Sequence, residues 1–187
     1  MDTDEEKDWI RLSQHGDDAA FEELMRTHQT LIHSLTFRMT GSLADAKDLA
    51  QETFVRAYRQ LDSYQGTSKF SSWLYRIGVN ACLDWQRRER RRTEIYHHFG
   101  EMADTVTPAE SESALDLDEL SQDVQAALMK LSAKQRAAIV LTVYGEHNHA
   151  EAAKILGCSE TTVSWRIFTA RRKLKKLLEN RNGGRYD

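Results

Sequence analysis

The chain has 187 residues, and its 26 lysines and arginines nearly cancel its 29 aspartates and glutamates, leaving a net charge of −3. The longest apolar stretch, Ala137 to Tyr144, is broken by Thr142 and falls far short of the ~20 residues that cross a bilayer; the start, Met1-Asp-Thr-Asp-Glu-Glu, is acidic where a secretory signal is basic and then apolar, so a cytoplasmic protein without membrane insertion is expected. Cys82 and Cys158 stand far apart with no CxxC pair, which speaks against a disulfide framework or zinc site, and one proline in the chain favours helix nearly everywhere.

The near-neutral total hides a polarity. Residues 1–92 carry 14 basic and 15 acidic side chains, residues 93–122 none and 8, and residues 123–187 12 and 6, so the local net charges are −1, −8 and +6. This predicts two small helical domains, 1–92 and 123–187, joined by a flexible acidic linker, 93–122, that holds Pro108 and too few large apolar residues for a core. A solvated loop that happens to be acidic is the plainer reading of the −8.

In chain order, Phe21, Leu24, Met25, His28, Leu31, Ile32, Leu35 and Met39 recur at three and four, the spacing of a long amphipathic helix. Ser42-Leu-Ala-Asp45 has the form of a capping box with Asp in place of Glu. It opens a second helix with Ala46, Leu49, Ala50, Thr53, Phe54, Ala57 and Leu61 on one face. A third helix runs from about Phe70 to Arg92. Beyond the acidic segment, Val124, Leu128 and Leu131 suggest one helix, Ser132-Ala-Lys-Gln135 caps another running to Tyr144, Asn148-His-Ala-Glu151 caps a third and Ser159 opens the last. No segment alternates with period two, so the fold class is all-α.

The last two helices read as a helix-turn-helix: Asn148 to Leu156, a turn Gly157-Cys158-Ser159, then a longer basic helix to about Leu178. Val163, Ile167, Ala170, Leu174 and Leu178 share an inward stripe, while Thr161, Thr162, Trp165, Thr169, Arg172 and Lys176 point outward. Hydroxyls, an aromatic ring and basic groups suit a major groove and its phosphates. An ordinary helical hairpin would account for the charge but not for an outward Trp165. His147, His149 and Glu151 look like metal ligands, yet residues two apart on a helix do not converge on one ion, so polar structural histidines are expected. His97-His98 has no further ligand at metal spacing, and no nucleophile-base pair, phosphate loop or catalytic carboxylate pair is evident; neither enzyme activity nor a cofactor is expected.

In the first domain, the second helix turns Asp48, Gln51, Glu52 and Arg59 outward around Val55, an apolar residue ringed by charge, as at a protein interface. A solvated face is the default alternative. The third helix has two apolar stripes, Phe70, Trp73, Leu74, Ile77, Ala81 and Tyr75, Val79, Cys82, so it should be buried on two sides. What remains is a polar edge of Arg76, Asn80 and Arg87 that runs into Arg88, Arg90, Arg91 and Arg92, a phosphate-binding end. Just ahead, the loop from Tyr64 to Phe70, with Lys69, is suited to unstacked bases, while Phe70 and Trp73 are assigned to the core.

These residues resemble bacterial RNA polymerase sigma factors of the extracytoplasmic function (ECF) group of the sigma-70 family. Asp45-Ala-Lys-Asp-Leu-Ala-Gln-Glu-Thr-Phe-Val-Arg-Ala-Tyr58 looks like the segment that docks on the clamp helices of the β′ subunit. Lys69-Phe70, Trp73-Leu74, Ile77, Asn80, Asp84 and Arg87-Arg88 are similar to the segment that recognises and melts the minus-ten element. Glu151-Ala-Ala to Leu156-Gly157, Ser159, Thr162-Val163, Arg166 and Ala170-Arg171 look like the minus-thirty-five reader. Three motifs in order and register are specific where one would be weak.

The resemblance implies a factor without chemistry of its own that binds core RNA polymerase, at the β′ clamp helices and the β subunit, and promoter DNA, and that is held in check by an anti-sigma factor. Its implied contacts are Asp45, Asp48, Gln51, Glu52 and Val55 for polymerase; Tyr64, Lys69, Arg76, Asn80, Arg87 and Arg88 for the minus-ten element; and Ser159, Thr161, Thr162, Trp165, Arg166, Thr169 and Arg172 for the minus-thirty-five element. Thr161, Ser164, Trp165 and Thr169 depart from the usual recognition helix. A one-component transcriptional regulator with a similar helix-turn-helix is the rival reading, and it leaves the second and third helices unexplained.

Overall fold

A computed structural model describes residues 4–98 and 119–182, and these form eight α-helices with no strand among the described residues. The first is α1, Asp4–Gln14, which the apolar spacing does not announce. It is acidic at its start, and one of its inward positions is Glu6, whose carboxylate meets the His28 ring nitrogen at 2.6 Å in a buried pair.

Helix α2, Asp18–Thr40, starts where Asp17 accepts from the Ala20 amide and stops at Gly41, which sits at φ 76° and returns its amide to the Phe37 carbonyl. Helix α3, Leu43–Gln60, is capped by Ser42, whose hydroxyl accepts from the Asp45 amide at 3.3 Å. The reciprocal half of the expected box is replaced: the Ser42 amide turns to the Thr40 hydroxyl at 3.4 Å, since Asp45 is one methylene shorter than the glutamate that usually reaches back. Thr36, fully buried, ties α2 to α3 by donating to the Ala46 carbonyl at 2.8 Å.

Helix α4, Phe70–His98, is six residues longer than the spacing predicts and carries on through Thr93 to His98. Its extra turn is supported by Thr93 donating to the Glu89 carbonyl and by an Arg90–Glu94 pair at 2.8 Å, one helical turn apart. The segment expected to be linker from residue 93 therefore opens as helix, and α5, Glu119–Met129, begins inside its other end. The centre of the acidic segment lies outside the described residues.

The second domain adds α6, Ala133–Ile139, which passes into a single π-helical turn over Val140–Tyr144, then α7, His149–Leu156, and α8, Glu160–Asn182. Ser132 with Gln135 and Asn148 with Glu151 form complete capping boxes, as expected. Gly157 ends α7 in the left-handed region at φ 59°, where a side chain would be strained, and so sets the turn into α8.

Both expected apolar stripes of α4 are buried. The first, with Phe70, Trp73 and Leu74, packs with Tyr64 in one aromatic cluster. The second borders the other domain, where Tyr75 meets the His147 ring at 5.1 Å between centroids. The two domains thus share one hydrophobic core, with Ile32, Leu35 and Val79 from the first and Leu128, Val140 and Leu141 from the second.

Candidate nucleic-acid interface

Three exposed faces carry the candidate residues. On α3, Asp48 and Gln51 are exposed beside Val55, which is 44% exposed although α3 buries six other residues; Asp45 and Glu52 are half-buried. Glu52 is held from two sides, by Arg56 at 2.5 Å and by Arg88 at 3.7 Å, and Arg56 reaches on to Asp84 at 3.4 Å. Arg56 did not stand out in the sequence. Its signal is the Glu52–Arg56 spacing of four, and its effect is to fix Glu52 against the α4 end that carries the arginines.

On α4, Arg76, Asn80, Arg87 and Arg88 lie exposed along one edge, with Lys69 exposed just before the helix. Arg87 pairs with Asp84 at 2.7 Å and Arg92 with Glu89 at 3.1 Å, which holds these guanidinium groups near the edge. Tyr64 departs from the expectation. It is 8% exposed, its hydroxyl donates to the Ser68 carbonyl at 2.6 Å, and its ring packs edge-on against Phe70, so it braces the loop from within and offers no face to a base. The exposed residues of the loop are Gln65 to Lys69.

On α8, the inward stripe is as expected: Val163, Ile167 and Ala170 are buried and Leu174 is half-buried. The Ser159 hydroxyl accepts from the Thr162 amide at 3.2 Å and meets the Thr162 hydroxyl at 2.8 Å, so both residues are tied into the helix start. Thr161 and Arg172 are exposed, and Trp165 is 65% exposed. Thr169 is half-buried; its hydroxyl accepts from Gln135 at 3.1 Å and is shared with the Trp165 and Arg166 carbonyls. Arg166, also half-buried, donates to the Cys158 sulfur at 3.4 Å. Sequence reading passed over Phe168, which is 66% exposed and one turn beyond Trp165. The helical angle places it within about 40° of both Thr161 and Arg172 on the outward face, a position the spacing alone would have given.

His147 and His149 each touch a neighbouring helix. His149 meets the Ser164 hydroxyl at 2.9 Å, His147 is buried against Tyr75, and no group of three metal-ligating side chains is brought together among the described residues. Burial pushes the Tyr75 phenol above its ordinary value and the Cys82 thiol up to about 12, so neither is a candidate for chemistry at neutral pH.

Residues 24–92 match the model of sigma-70 region 2 and residues 121–174 that of sigma-70 region 4. The chain is 34% identical over 184 residues to the ECF RNA polymerase sigma factor SigW of Bacillus subtilis, covering 91% of this chain and 95% of that one. It belongs to the ECF sigma factors. A second member, SigM of Mycobacterium tuberculosis, is 36% identical over 90% of this chain and 82% of its own length. Among solved structures, the sigma factor RpoE of Bartonella quintana, in complex with the anti-sigma factor NepR, superposes with a TM-score of 0.68 at 28% identity, covering 85% of this chain and 96% of that one. CnrH in complex with the cytosolic domain of CnrY gives 0.66 at 28% identity, covering 95% and 99%. In this ECF factor, region 2 spans most of α2, all of α3 and α4 as far as Arg92, and region 4 spans α5 to the middle of α8.

Proposed function

We propose that this ECF sigma factor binds core RNA polymerase through the outward face of α3, reads and opens the minus-ten element with the polar edge of α4, and reads the minus-thirty-five element with α8. The observation that carries the assignment is the match of exposure to motif. In each family segment the residues left outside the core are the ones with the right chemistry: carboxylates and an amide around an apolar centre on α3, an amide among guanidinium groups on α4, and hydroxyls, aromatics and cations on α8.

Docking on polymerase falls to Asp45, Asp48, Gln51, Glu52 and Val55. An exposed valine ringed by polar groups is a small apolar contact that a partner covers, and the surrounding carboxylates fix its register against basic groups. At the minus-ten element, Lys69, Arg76, Arg87 and Arg88 neutralise phosphates and Asn80, between them, hydrogen-bonds a base. Tyr64 supports this set from the core and is no longer among its contacts. At the minus-thirty-five element, Ser159 and Thr162 shape the helix start and contact the backbone, Thr161, Trp165 and Phe168 meet base edges and thymine methyl groups, and Arg166, Thr169 and Arg172 flank them.

The factor performs no bond-making step of its own; it positions the polymerase, and it works wherever polymerase and chromosome are, in the cytoplasm. The solved relative from Bartonella quintana is a complex with an anti-sigma factor, which supports an anti-sigma factor as a further partner of this chain. Promoter-dependent transcription from purified protein and core polymerase tests the whole reading. Specific transcripts from a promoter with both elements are expected; DNA binding in which added core polymerase makes no difference would favour a one-component regulator.

A further inference from the structure

Trp165 and Phe168 are the two most exposed large apolar side chains among the described residues, at 65% and 66%. They stand three residues apart on α8, about 4.5 Å along the helix axis and about 60° around it, so both rings belong to one outward patch. A pair of neighbouring rings left in water marks a surface that a partner covers. Thr161 and Arg172, also exposed, border the patch.

The polar side chains beside the rings are already engaged within the protein. The Ser164 hydroxyl meets the His149 ring at 2.9 Å, and the Thr162 hydroxyl meets that of Ser159 at 2.8 Å. The Thr169 hydroxyl accepts from Gln135 and donates towards the Trp165 and Arg166 carbonyls, and Arg166 donates to the Cys158 sulfur at 3.4 Å. Asparagine and glutamine, which read adenine by paired hydrogen bonds, do not occur between Glu160 and Glu179. Arg166 is the only cation in the first two turns; the next, Arg171, lies about 16 Å along the axis from Glu160, past the amino-terminal half that a helix-turn-helix sets against base edges. Glu160, able to accept from cytosine, sits about 140° around the helix from Trp165. With these contacts withheld, the major-groove group that an aromatic ring can still recognise is the C5-methyl of a pyrimidine.

We propose that α8 identifies its element by pyrimidine C5-methyl groups, with Trp165 and Phe168 as the sensor for two of them at neighbouring base pairs. The inference deepens the promoter-reading assignment above and rests on it. The rise of ~4.5 Å between the rings compares with ~3.4 Å between base pairs, so the two rings address a single base-pair step. A ring does not test the O4 acceptor or N4 donor that separates thymine from 5-methylcytosine. Both methylated pyrimidines should therefore be accepted at these positions, and uracil and plain cytosine discriminated against. Covering one methyl should raise affinity about fourfold, and covering two roughly fifteenfold.

The test uses the full chain with core polymerase and a promoter pool randomised over both elements. Bound duplexes should be enriched in neighbouring thymines within the upstream element. Replacing each selected thymine by deoxyuridine keeps its hydrogen-bonding groups, removes only the methyl, and should weaken binding of the unaltered protein about fourfold. Where one such pair is exchanged for cytosine and guanine, methylating the cytosine at C5 should restore about fourfold. The Trp165→Ala/Phe168→Ala double variant, whose thermal unfolding by circular dichroism should match wild type, should bind thymine and deoxyuridine duplexes alike. Equal binding of thymine and deoxyuridine by the wild type, no gain from 5-methylcytosine, enrichment led by guanine without neighbouring thymines, or a deoxyuridine penalty that survives in the double variant would each overturn methyl reading. Enrichment of a downstream element beside a methyl-indifferent upstream one would end methyl reading alone. Enrichment of no sequence at either element would instead count against the promoter-reading assignment, and methyl reading would fall with it.

Discussion

The two helices assigned to DNA, α4 and α8, solve the same problem in opposite ways. Helix α4 is buried along two stripes, one inside its own domain and one bordering the other, and leaves only a narrow polar edge exposed. Helix α8 has one inward stripe and leaves Thr161, Trp165, Phe168 and Arg172 on a broad free face. The first reader is built into the core and the second is laid upon it. Changes to the buried stripes of α4 should therefore cost stability, whereas changes to the outward face of α8 should leave it nearly untouched.

The sharpest way to break this contrast is to truncate one tryptophan on each helix. Trp73→Ala empties a buried site in the aromatic cluster and should cost about 3–5 kcal/mol, enough to unfold the first domain at modest denaturant. Trp165→Ala should change stability by no more than ~0.5 kcal/mol while relaxing promoter preference, and Phe168→Ala should do the same. Denaturant melts and competition binding on variant promoters check both halves; a large loss of stability in Trp165→Ala would end the contrast.

A third face separates docking from reading. Asp48→Arg on the exposed side of α3 should weaken core polymerase binding at least tenfold, roughly 1.4 kcal/mol, with an unchanged circular dichroism spectrum. Pull-down with core polymerase reads it, and normal affinity would move docking elsewhere. On the α4 edge, Asn80→Ala should impair promoter opening more than closed-complex formation, seen as lost permanganate reactivity on a linear promoter that is still bound; equal losses would make Asn80 a general contact.

Smaller effects refine the picture of α8 and of the buried side of α4. Thr169→Arg should raise affinity for DNA of any sequence and steepen its salt dependence by about one unit, at the expense of the Gln135 hydrogen bond. A titration at three salt concentrations decides it. Cys82, with its thiol pushed up to about 12, should resist thiol reagents at pH 8 in the native state while Cys158 reacts. Because that folded value lies above the ordinary thiol value of 9.0, its contribution to stability is complete below pH ~9 and is lost as the pH climbs towards 12.

Helix identity and the inward faces were legible because they follow from apolar spacing and cap residues: Ser132, Asn148 and Gly157 mark their helix ends without tertiary help. Two things were not. Helix α1 hides because Glu6, a charged residue, occupies an inward position, where it meets His28, 22 residues away. The contact between the domains hides because its bonds run from side chains to carbonyls, and a carbonyl acceptor has no residue signature; Arg136 reads in sequence as one more surface arginine. The second stripe of α4 did announce a buried face, but periodicity says only that something covers Tyr75 and Cys82, not what. Tyr64 was misplaced for a related reason: an aromatic at a loop end suits a base and a core equally, and the Phe70 and Trp73 rings decide for the core.

The exposure of Trp165 has an optical consequence. Of the indoles, that of Trp73 is shielded and those of Trp9 and Trp85 pack against the core, leaving Trp165 as the one open to water. Its emission should lie to the red of the others and be quenched selectively by iodide. Docking of α8 in a groove would remove both properties, so the protein carries an intrinsic fluorophore that signals occupancy of its upstream reader without any attached dye.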